Sequence, residues 1–143
     1  MTNQHTQLIE GLRTWASGYS ADRAAVELLI THDEWLTRAD FQQYMESLLD
    51  HTGQPLTVID WEHLREAVDR NELIASSSAV QVLRIALSLA VGLPVDLGEA
   101  MTGLDATNTT AVALALVTTA QAEDRVNITH TEPRLSDWFK ETR

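Results

Sequence analysis

Between Ala79 and Leu93 the chain runs for fifteen residues in which Arg84 is the one charge and Gln81 and Ser88 are the other polar side chains. On a helix these three follow at spacings of three and four, so the polar stripe is a single residue wide. A helix with so little polar surface has to be surrounded by the rest of the protein. The run is too short, and too charged at Arg84, to span a bilayer. Ser78 with Gln81 three residues on reads as a capping box that opens the helix, and Gly92 with Pro94 ends it. The strongest single expectation is therefore a central apolar helix over 79–91 with other elements packed round it.

Charge divides the chain around that helix. Of the 21 acids and 10 bases that give a net charge of −11, thirteen acids and five bases precede Ala79; the stretch to Gln121 holds three and one, and residues 122–143 hold five and four. A surface this acidic repels phosphate backbones and anionic headgroups, so neither nucleic acid nor membrane is an expected partner. The chain has no Cys, which removes disulfides, thiol nucleophiles and Cys-based metal sites and points to a reducing, cytoplasmic home. The opening MTNQHTQLIEGLR lacks the basic and apolar regions of a secretory signal, and on that expectation the sequons at Asn108 and Asn127 are chance matches. At this length about two thirds of the unfolded surface can be buried, enough for one core without staples. With no linker, repeat or low-complexity stretch, a single domain over 1–143 is expected, its residues 122–143 forming a tail with a short helix.

The remaining segments read as helices. Thr6 to Ser17 places Leu8, Leu12 and Trp15 on one side, and Ser20 to His32 sets Ala21, Ala24, Ala25, Leu28 and Leu29 against Asp22, Arg23 and Glu27. Phe41, Met45, Leu48 and Leu49 continue the helical spacing in the next segment, with Thr37 as its cap, until Gly53 and Pro55 end it. A short extended piece, Leu56 to Ile59, leads to Asp60, whose flanking Ile59 and Leu64 have the spacing of a hydrophobic staple; that helix reaches about Arg70. Asp96 with Glu99 caps a short helix to Thr102. Asp105 caps Ala106 to Gln121, where Val112, Leu114 and Leu116 alternate as in a strand while length and alanine content favour a helix. The expected fold is all-α, a bundle of six or seven short helices.

The common catalytic signatures are missing. The six Gly are scattered, with no phosphate-binding loop, and there is no nucleophile-elbow Ser, no Ser-x-x-Lys and no His-Glu-x-x-His. Ser76 to Ser78 read as a helix start rather than as nucleophiles. Metal ligation has two candidates, the His32-Asp33-Glu34 cluster and the pair Asp60 and His63 three residues apart, and a carboxylate and imidazole site between helices is chemistry that bundles support. The plainer reading is that Asp60 caps and His63 is solvated, so no metal and no cofactor are expected. A helix-turn-helix built from Trp61–Arg70 and Ala79–Val91 would need a tighter connection and more than Arg84 on its recognition helix. Arg84 is expected to pair with a carboxylate from the first charge zone.

Four of the eight aromatic residues are Trp. Trp61 and Trp15 fit apolar helix faces. Trp35 follows His32, Asp33 and Glu34 in a charged connection, where a large ring is expected to be partly exposed. Trp138 and Phe139 fall at helical spacing from Leu135, after Pro133 and a capping Ser136, in an otherwise polar tail that is expected to dock on its own chain, the alternative being a short anchor helix for a partner's groove. Asp33, Glu34, Trp35, Trp138 and Phe139 are thus the candidate partner-binding residues. The stretch VLRIALSLAVGLPVDLGEAMTGLDATN, Val82 to Asn108, resembles small uncharacterised proteins of high-GC Gram-positive bacteria in its leucine-rich helix, PVDL-like turn and GLD-like cap; the resemblance implies a bacterial, cytoplasmic origin and brings no activity with it. The functional expectation is a non-enzymatic cytoplasmic interaction or regulatory module whose acidic face meets a protein partner of basic character, with self-association also open to it. A small-ligand or metal-binding bundle with hydrolase activity and an acidic DNA-mimic inhibitor are the alternatives.

Overall fold

The computed structural model describes residues 2–129 and Thr131. The expected tail helix, with Trp138 and Phe139, lies outside the described residues. In chain order the elements are α1 (Thr2–Ala16), α2 (Ser20–His32), α3 (Ala39–Gln42), β1 (Met45–Leu49), β2 (Pro55–Ile59), α4 (Trp61–Asp69), α5 (Ser77–Val91), α6 (Leu97–Thr102) and α7 (Ala106–Thr119). The described residues are mostly helical, with one small two-stranded sheet. Among the described residues no helix is long and apolar enough to cross a membrane.

Local chemistry explains most boundaries. Asp60, Asp96 and Asp105 each accept a hydrogen bond from the backbone N–H three residues on, at His63, Glu99 and Asn108, which satisfies a donor the first helical turn leaves open. The cap of α5 is Ser76, whose Oγ accepts from Ala79 N, two residues earlier than a Ser78 and Gln81 box would place it. Gly92, at φ +72, closes α5 in the left-handed conformation that glycine adopts without cost. The segment 106–119 is a helix. Asn108, Ala111, Val112 and Ala115 form its buried stripe at helical spacing, so the alternation of its larger residues did not decide its structure.

One expected helix is replaced. Phe41 lies in the four-residue α3, but Met45 to Leu49 form a strand paired antiparallel with Pro55–Ile59, in the register Met45 to Ile59 through Leu49 to Pro55. Thr37 does not cap; Arg38 occupies that position and no side chain caps α3. The turn chemistry favours the hairpin. Asp50 Oδ1 accepts from Thr52 N at 2.8 Å, Thr52 Oγ1 at 2.6 Å and Gln54 N at 2.9 Å, while Gly53 turns at φ +83. These bonds hold the Asp50 carboxyl below its ordinary pKa, the Thr52 hydroxyl contributing most.

The buried apolar residues form one cluster. Helix α2 packs against α1, α5 and α7, and α5 against α4, α6 and α7 as well. The buried side chains of α5 are Ala79, Val82, Leu83, Ile85, Ala86 and Leu87, which accounts for its narrow polar stripe. Trp15 and Trp61 stack at 6.1 Å between centroids, joining α1 to α4.

Candidate interaction surface

Helix α1 rests on β2 because Gly11 has no side chain. A Cβ there would stand 2.5 Å from Thr57 Oγ1 and 2.7 Å from Thr57 N, so any larger residue would push the two elements apart. Beyond this contact α1 and the hairpin diverge. They enclose an open cleft of about 940 Å³, with Gln4, Gln7 and Leu8 of α1 on one side and Met45, Ser47 and Leu49 of β1 on the other. The first three lie at helical spacing with Gly11; the last three alternate along one face of the strand. Among the described residues His5 is the only titratable side chain in the lining, and its Nε2 lies 3.4 Å from Asp33 Oδ1, which puts Asp33 at the rim.

The expected partner-binding residues separate. Asp33 and Glu34 have exposed side chains. Asp33 ends α2 at φ 54, a left-handed conformation that Asp tolerates better than most residues. Trp35 is a correction: its ring is fully buried, Nε1 donates to Ala79 O at 2.8 Å, Phe41 lies 6.0 Å away and the Arg38 guanidinium sits 4.6 Å above the indole. Apolar burial and a cation–π contact outweigh the polar local sequence, so Trp35 is a core anchor. Its one polar atom is satisfied by the start of α5.

The candidate ligand groups do not converge. Among the described residues no group of three or more His, Asp or Glu is arranged to hold a metal ion. His32 Nδ1 pairs with Asn108 Oδ1 at 2.9 Å, tying the end of α2 to the start of α7. Its Nε2 lies 3.3 Å from Glu34 without hydrogen-bond alignment, a charge contact only when the ring is protonated. Asp60 and His63 pair on the surface of α4. Their hydrogen bond raises the His63 pKa above its ordinary value and lowers that of Asp60. Among the described residues no ion pair joins Arg84, which lines a shallow recess with Asp96 and Glu99 rather than meeting the first charge zone.

Sequence reasoning missed the hairpin face of the cleft. The signal for it was Asp50-His51-Thr52-Gly53-Gln54-Pro55, a dense cluster of turn-forming residues. No protein-family model matches the chain, and no curated protein or solved structure is significantly similar to it.

Proposed function

We propose that the chain is a non-enzymatic interaction module that receives a segment of a basic protein partner in the cleft between α1 and the hairpin, with Asp33 at its rim beside His5 and the exposed Glu34 next to Asp33 in the chain. The observation that carries this reading is the cleft lining: apolar, amide and hydroxyl side chains with His5, among the described residues, as the single titratable group. Such a lining suits contact with a peptide segment better than proton transfer, which needs paired groups within hydrogen-bond reach of a substrate. Net charge agrees in sign: thirteen of the 21 acids precede Ala79, in the part of the chain whose residues 4–57 include the cleft lining, although among the described residues no acid lines the cleft itself. A cytoplasmic setting, and α5 as the helix about which the core is organised, belong to the same proposal.

The test is capture of partners on immobilised protein at about 50 mM and about 500 mM salt, where screening lengths differ several-fold. A specific partner is expected to be retained at low salt and lost at high salt. The double variant Asp33→Asn, Glu34→Gln is expected to weaken its capture about tenfold. Retention that ignores both salt and the double variant would remove the acidic rim from the reading.

A further inference from the structure

The two edges of the sheet are treated differently. Helix α1 covers β2, with Gly11 against the Thr57 backbone. Among the described residues nothing pairs with the outer edge of β1. Asp60 N donates to Tyr44 O and Asp50 N to Gln54 O, and these two bonds set the parity of the antiparallel ladder. With the register of the hairpin, the ladder uses Glu46 and Leu48 toward β2. The N–H and C=O groups of Met45, Ser47 and Leu49 therefore point away from the sheet.

Along this open edge every residue after Met45 is exposed, Leu48 to 42% and Leu49 to 70%. Folded proteins usually protect such an edge with Pro, Lys, a bulge or a covering element. Strand β1 has a regular register, no Pro and no Lys, and Glu46 is its only charge. A row of alternating donors and acceptors beside exposed leucines calls for another strand. A two-stranded sheet is itself marginal and gains from added strands.

We infer that the β1 edge pairs with the β1 edge of a second copy of this chain, antiparallel and two-fold symmetric about Ser47, to form a four-stranded sheet. The strand is complementary to itself in this register. Met45 faces Leu49 of the second copy in a hydrogen-bonded pair, Ser47 faces Ser47, and Leu49 faces Met45, so the open N–H and C=O groups all find partners. Glu46 falls opposite Leu48, which keeps the two carboxylates from facing each other. The apolar pair Leu49 and Met45 covers the most exposed leucine of the hairpin. This interface goes beyond the partner-binding reading: Met45, Ser47 and Leu49 also form the β1 wall of the cleft, but the pairing uses their backbone edge and not the acidic Asp33 and Glu34.

Charge gives the interface a signature. Two copies at −11 each repel, so screening must strengthen self-association, the reverse of what a basic partner would show. Sedimentation equilibrium of the full chain from about 1 µM to about 1 mM is expected to show a monomer–dimer equilibrium that tightens several-fold in high salt. Ser47→Lys and Ser47→Glu each place two like charges face to face on the axis and are expected to weaken dimerisation about tenfold; an equimolar mixture of the two is expected to restore it. Leu49→Ser, which keeps the edge hydrogen bonds and removes the apolar contact, is expected to weaken it about fivefold and serves if a charge at position 47 loosens the hairpin. A wild-type chain that stays monomeric throughout overturns the inference. So do position 47 variants that dimerise as the wild type does, or a mixture that fails to restore pairing. The Asp33→Asn, Glu34→Gln variant should leave dimerisation intact, so failure of the partner reading and failure of the dimer are told apart.

Discussion

Trp35 stands among His32, Asp33, Glu34 and Arg38, neighbours that belong in water, and yet its indole is completely enclosed. The contacts responsible are remote in sequence: its hydrogen bond reaches Ala79, 44 residues away. Arg38 roofs the ring while its guanidinium binds Asp40 at 3.0 and 2.6 Å and donates to Ile74 O at 2.8 Å, so one charged residue is fixed by a carboxylate, a carbonyl and a π face together. Trp35→Leu removes the bond to Ala79 O and leaves a void beside Phe41. The expected loss is about 3 kcal/mol, read as a lower urea midpoint with an unchanged slope. The pair Asp60 and His63 makes a prediction of opposite character, because both side chains are exposed. The His63 pKa is raised in the folded state, mainly by its hydrogen bond to Asp60. Its stabilising contribution is thus complete below the unfolded value and disappears as pH rises through the folded one. Asp60, lowered chiefly by the same bond, loses its contribution as pH falls through its own folded value. An NMR titration should place the His63 imidazole above the ordinary value of about 6.5, and Asp60→Asn should bring it back toward that value.

The docking of α1 on β2 depends on a missing side chain. Gly11→Ala improves intrinsic helix propensity by about 1 kcal/mol, yet its Cβ would meet Thr57 backbone and hydroxyl well inside van der Waals contact. Backbone cannot rotate out of the way as a flexible side chain can, so the clash wins. The expected net loss is about 2 kcal/mol in a thermal or urea melt, whereas Gly18→Ala, with nothing within 4 Å of its Cβ, is expected to cost little. The elements differed in how far local sequence revealed them. The caps at Asp60, Asp96 and Asp105 were readable because each is settled within three residues. The hairpin was hidden because Phe41, Met45, Leu48 and Leu49 have helical spacing by coincidence. Leu48 and Leu49 are exposed, so their apolar character says nothing about a buried face, and the turn at Asp50 to Gln54 decides the structure. The cleft shared that fate. Its α1 side lies on a helix the sequence places, and its other side lies on the strand that helical spacing conceals.

For the molecule as a whole, the acidic balance is the property that reaches every other reading. The exposed pairs Arg13 with Glu27 and Arg23 with Glu123, and the half-buried pair Arg38 with Asp40, offset some of the repulsion among 21 acids. The two exposed pairs contribute less than about 1 kcal/mol each, and salt screens such pairs as well as the repulsion. Two opposing terms therefore respond to sodium chloride: attractions within ion pairs such as these are weakened, and the self-repulsion of a net charge of −11 is relieved. The second involves more charges and acts over longer distances, so it should prevail. Raising salt from about 20 mM to about 0.5 M is expected to lift Tm by about 3 °C, which for a chain of this size corresponds to about 1 kcal/mol. A fall in Tm would mean that the ion pairs matter more than the net charge. The measurement belongs in dilute solution, below the dimerisation range, because self-association would raise Tm with salt for a different reason and would add a dependence on protein concentration. A shift that persists unchanged on tenfold dilution isolates the repulsion within one chain.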